Sequence, residues 1–98
     1  MEIIKNEEGE KLTVAIVGRL DTTTAPNLEA ELKKSLDGVS ELYLDFKELE
    51  YVSSAGLRVI LAAQKVMSKQ GEMKIINVNP DVMEVFEITG FIDILTIE

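Results

Sequence analysis

Two adjacent hydroxyls, Ser53 and Ser54, stand between a strand-like run, Leu42-Tyr43-Leu44-Asp45-Phe46, and a long segment with helical apolar spacing. A serine placed there sits at the start of a helix, where unpaired backbone N–H groups favour negative charge. Two chemistries are open to it. It can cap the helix, since serine is among the preferred N-cap residues. It can also carry a phosphate, which such a position tolerates and leaves visible to a partner. The two roles are compatible. Asp21 and Asp45 join the two serines at or beyond the C-terminal ends of the strands described below. Open parallel sheets bind ligands along that edge. A carboxylate pair there could hold magnesium or do acid/base work.

The remaining inventory argues against an enzyme. The chain has no cysteine and no histidine. Disulfides, thiol chemistry, the usual zinc sites and every mechanism that needs an imidazole base are therefore excluded. A serine nucleophile would need lysine as its base, and neither Ser53 nor Ser54 opens a Ser-x-x-Lys spacing. Gly56 stands alone, so there is no glycine-rich phosphate loop. No cofactor and no metal is expected.

Ninety-eight residues make one domain, 1–98. A hydrophobic fraction of 46% with 29% charged residues is ordinary for a folded domain and argues against disorder. The net charge of -8 would repel nucleic-acid backbones and anionic membranes, so a basic protein surface is the better-matched partner. The N-terminus lacks the basic and apolar regions of a signal peptide, and no apolar run approaches a membrane span. The expectation is a complete cytoplasmic chain, monomeric when free.

The elements that must position the serines follow from periodicity. Glu2–Lys5 and Leu12–Val17 read as strands joined around Glu8-Gly9-Glu10. Gly18-Arg19-Leu20-Asp21 is expected to leave the sheet. Thr22, Thr23 and Thr24 are cap candidates for a first helix, with Pro26 in its first turn, a Leu28, Leu32, Leu36 stripe and an Asp37-Gly38 exit. Asp21 itself reads either as an N-cap or first-turn acid, or as a surface carboxylate facing a partner. Ser40–Phe46 is the third strand, and residues 47–52 are a link. A second helix runs from about Ser54 to Gln70 with Gly56, Ile60, Ala63 and Met67 toward the core, widened by Leu57 and Leu61. Arg58, Lys65 and Lys69 lie on its solvated flank. Met73–Val78 is the fourth strand. Asn79 caps a third helix with Pro80 at its first position, and Ile94–Ile97 is a short final strand. Strands alternating with helices predict an α/β fold, a mostly parallel sheet of four to five strands packed with three to four helices.

Gly18-Arg19-Leu20-Asp21, Leu44-Asp45-Phe46 and Ser53-Ser54-Ala55-Gly56-Leu57, in that order and spacing, resemble a STAS domain. More narrowly, the chain is similar to the bacterial anti-sigma factor antagonists. The resemblance covers nearly the whole chain, ending with Asn79-Pro80 and the Phe86 to Phe91 stretch.

The resemblance implies a phosphorylation switch, with Ser54 as phosphoacceptor. It implies that the unphosphorylated chain binds an anti-sigma factor that is also a serine kinase. Phosphorylation releases the chain, and a magnesium- or manganese-dependent phosphatase restores it. Asp21 then helps kinase binding, within a partner-binding set of Asp21, Thr22, Thr23, Ser53, Gly56, Leu57 and Arg58. The common family pattern has aspartate before the phosphoacceptor and serine or threonine after it. This chain has Ser53 and Ala55, which makes Ser53 a rival acceptor. An alternative from another class is a STAS scaffold subunit of a transport or signalling complex that is never phosphorylated.

Overall fold

Alternation decides the sheet. In Leu12–Ile16 the even positions are buried to within 1% and the odd ones half-buried, which puts Leu12, Val14 and Ile16 on one face. The computed structural model describes residues 1–98. In chain order it contains β1 (Glu2–Glu8), β2 (Lys11–Leu20), α1 (Ala25–Ser35), β3 (Glu41–Asp45), β4 (Leu49–Val52), α2 (Ser54–Gln70), β5 (Glu72–Ile76) and α3 (Pro80–Thr89). A single 3-10 turn, Phe91–Asp93, follows.

The strands form one five-stranded sheet in the order β1-β2-β3-β5, with β4 paired to β2. Only the β1–β2 hairpin is antiparallel; β2–β3, β2–β4 and β3–β5 are parallel. The crossovers that parallel pairing demands are supplied by α1 and α2. The mostly parallel α/β architecture expected from the sequence is what the chain adopts.

Twenty-four apolar residues form one core, and no polar or charged residue is fully buried. Leu57, Ile60, Ala63 and Met67 of α2 lie in it, and Gly56 of the same stripe is buried. Leu28 and Leu32 of α1 and Val82 and Phe86 of α3 complete it, Phe86 lying 6.3 Å from Phe46 between ring centroids. Gln70 ties the helices together. Its side-chain amide donates to the carbonyls of Leu36 at 2.6 Å and Val39 at 2.7 Å, satisfying groups freed where α1 ends.

Three expectations are corrected. Gly18 to Leu20 does not leave the sheet: β2 continues through a register shift at Gly18/Arg19, where Gly18 takes φ +98°. The link after Phe46 contains β4, whose buried-exposed-exposed-buried pattern hides the strand period. The final strand is absent. The 3-10 turn takes up Phe91–Asp93, and only Ile97 bridges to Ile75 of β5.

Candidate functional site

The site is built where β2 and β4 end side by side. Leu20 pairs with Val52, and the next residue of β4's strand, Ser53, donates its amide to the Leu20 carbonyl at 2.9 Å. The chain then turns directly into α2. It can do so because Gly56 has no side chain: a Cβ there would lie 2.7 Å from Leu20 Cγ and 3.0 Å from the Leu20 carbonyl oxygen. The first turn of α2 is thereby held against the end of β2, and Asp21, next after Leu20, stands on the same edge.

The two serines have different roles in this geometry. Ser53 is the N-cap, with extended backbone, and its Oγ accepts from the Gly56 amide at 3.3 Å. Ser54 is the first helical residue, exposed, and its hydroxyl takes part in no hydrogen bond within the chain. The capping chemistry therefore belongs to Ser53. Ser54 is left as the free hydroxyl, and α2 has no acidic residue in its first turn.

Asp21 is neither the N-cap nor a first-turn acid of α1. Thr24 occupies the N-cap position and Ala25 begins the helix. Asp21 organises the turn before it: Oδ1 accepts from the amides of Thr23 at 3.0 Å and Thr24 at 3.1 Å, and the Asp21 amide donates to Thr24 Oγ1 at 2.8 Å. The Thr24 hydroxyl points back along the chain and donates to the Arg19 carbonyl at 2.8 Å, so it makes no side-chain cap bond to α1. These bonds hold the Asp21 carboxyl below its ordinary pKa. The Thr24 amide contributes most; desolvation opposes it, and the Thr23 amide, the Thr24 hydroxyl and the Arg19 charge add to it.

Arg19 and Tyr51 form a pair that sequence reasoning missed. They are register partners across β2 and β4, and the guanidinium carbon lies 4.3 Å from the ring centroid. The Arg19 Nε is 3.9 Å from Asp21 Oδ2. Both side chains are exposed, Tyr51 at 40%. The pairing depends on β4, whose burial does not alternate, so no periodicity connects the two residues.

The other candidates divide clearly. Thr22, Thr23 and Arg58 are exposed beside Asp21 and Ser54, whereas Gly56 and Leu57 are buried. Gly56 and Leu57 face the core and set the position of α2. Asp45 is at the end of β3, but its Oδ1 is engaged by the Lys47 amide and the Asn77 side-chain amide, each at 3.0 Å. No cluster of acidic residues is arranged to hold a metal ion. No helix is long and apolar enough to cross a membrane.

The chain belongs to the STAS domain family, which it matches over residues 2–98. BtrV of Bordetella bronchiseptica, provisionally named an anti-sigma factor antagonist, is 37% identical over 99 residues, covering 99% of this chain and 85% of the relative. The anti-sigma-B factor antagonist of Bacillus subtilis is 32% identical over 95 residues, covering 96% of this chain and 86% of the relative. Among solved structures, the Bacillus anti-sigma factor antagonist SpoIIAA superposes with a TM-score of 0.77 in its unphosphorylated form. That match has 16% identity and covers 99% of this chain and 87% of the other. The phosphorylated form gives 0.76 at 17% identity, covering 99% and 91%. At these identities the likeness to SpoIIAA is one of fold.

Proposed function

We propose that this chain is an anti-sigma factor antagonist switched by phosphorylation of Ser54. Unphosphorylated, it binds an anti-sigma factor that is also a serine kinase. The kinase transfers phosphate to Ser54, the complex dissociates, and a magnesium- or manganese-dependent phosphatase resets it. The chain performs no catalysis of its own. Its contact surface is Asp21, Thr22, Thr23, Ser54 and Arg58, with Ser53, Gly56 and Leu57 holding that surface in place from beneath.

The observation that carries this function is the division between the serines: Ser53 is consumed as the cap, and Ser54 is exposed with its hydroxyl free. The names of the relatives, anti-sigma factor antagonists, support an anti-sigma factor as the partner. A phosphate on Ser54 adds about −1.5 to −2 charges at one point. At the first residue of α2 it costs the fold little, because helix N-termini favour anions. Against a partner packed for a neutral hydroxyl it is expensive to bury. A loss of about 3 kcal/mol in binding lowers affinity more than a hundredfold.

The test is capture of the kinase by immobilised chain. Wild type and Ser54→Ala should retain it, and Ser54→Asp should not. Retention by Ser54→Asp would instead indicate a scaffold that is never switched.

A further inference from the structure

The chain has ten basic residues, of which only two are arginines, Arg19 and Arg58, and both stand at the Ser54 edge. They differ in what they already hold. Arg19 lies over Tyr51 and reaches toward Asp21. Arg58 is exposed on α2 and has no ion-pair, hydrogen-bond or ring partner. It follows Ser54 by four residues on one helix, so their Cβ atoms are neighbours about 5–6 Å apart. An acid four residues N-terminal to a base is the favourable order for such a pair.

We propose that Arg58 is the intramolecular receptor for the phosphate on Ser54, so that phosphorylation withdraws a guanidinium from the partner-binding face as it adds a dianion. This rests on Ser54 being the phosphoacceptor. A guanidinium can grip a phosphate with two parallel N–H donors, which a lysine ammonium cannot do. Arg19 is the poorer receptor, since moving to the phosphate would forfeit both the Tyr51 stack and the Asp21 contact. The unmodified face thus offers a free cation to a carboxylate of the partner. The modified face offers none. In a chain of net charge -8, the loss of one exposed cation beside an added dianion reverses the local sign of the surface.

The experiment uses chain in which phosphoserine is installed at position 54 during synthesis, without any kinase. Phosphorus NMR then follows the second phosphate ionisation, ordinarily near pH 6. Clamping by Arg58 should lower that midpoint by about half a pH unit, because the guanidinium favours the dianion. Arg58→Gln should raise it by about that amount, leaving only the lowering due to the helix N-terminus, Arg58→Lys should raise it in part, and Arg19→Gln should leave it as in wild type. Identical midpoints in wild type and Arg58→Gln would overturn the proposal. So would equal shifts in both glutamine variants, which would mark a diffuse field. Because no kinase takes part, failure here leaves the phosphorylation of Ser54 standing. Failure of that switch would show instead in where phosphate is found in cells.

Discussion

The amide of Ser53 donates to the carbonyl of Leu20 at 2.9 Å, so the last rung between β2 and β4 is also the entry to α2. One hydrogen bond thereby couples the Asp21 turn, which begins one residue after Leu20, to the serine pair. Neither half of the site can move without disturbing the other.

Gly56 makes that closeness possible, and adding a methyl should undo it. Gly56→Ala places a Cβ 2.7 Å from Leu20 Cγ and 3.0 Å from its carbonyl oxygen. Overpacking of this kind costs about 1–3 kcal/mol, more than the roughly 1 kcal/mol that alanine gains in helix propensity. The urea midpoint should fall. Gly71→Ala should fall further, because its Cβ would meet the Ser40 backbone, which has no flexible side chain to yield.

The serines should separate cleanly. Ser53→Ala removes the cap bond to Gly56 and should destabilise the chain by about 1 kcal/mol while leaving Ser54 modifiable. Ser54→Ala should change stability by less than about 0.5 kcal/mol, as is usual for an exposed site, and abolish modification. Thermal melts paired with phosphate incorporation would read both. Loss of phosphate with Ser53→Ala alone would reverse the assignment.

Acid should act partly through Asp21. Its folded pKa is lowered, chiefly by the Thr24 amide, so its charge contributes stability above the unfolded value of about 4. That contribution is lost as pH falls through the folded value. Asp21→Asn should therefore be less stable than wild type at neutral pH. The gap in urea midpoint should narrow below about pH 4, where the unfolded carboxyl is already protonated. A gap that stays constant down to the acid limit would mean that the charge contributes nothing.

Gln70 should not tolerate an acid. Its amide donates to the Leu36 and Val39 carbonyls, and Gln70→Glu would set oxygen against oxygen at neutral pH. The expected loss is about 1–3 kcal/mol, the range for leaving such groups unpaired. Calorimetry on the two proteins would show it, and an unchanged melting temperature would mean that α1 is held by packing alone.

How far the sequence disclosed this molecule depended on how regular each element was. Seventeen residues of α2 were legible because the Gly56, Ile60, Ala63, Met67 stripe is long and a serine pair opens it. Asn79 marked the start of α3 equally well, its side chain accepting from the Val82 amide. The four residues of β4 were illegible. Glu50 falls where the register shifts, so burial does not alternate. With β4 went the Arg19–Tyr51 pair. The apolar run at Ile94–Ile97 misled, because its pattern fits a strand but Leu95 alone is buried there. Residue types identified Ser53, Ser54 and Asp21, but which of the two serines caps α2 was decided only by the Oγ to Gly56 contact.

The central claim is that Ser54 carries a reversible phosphate. Intact-mass spectrometry of the chain purified from its own cells, with fragment mapping, tests it most directly. The expected result is a single phosphate on Ser54 that phosphatase treatment removes. A phosphate on Ser53, or none across several growth conditions, would contradict it.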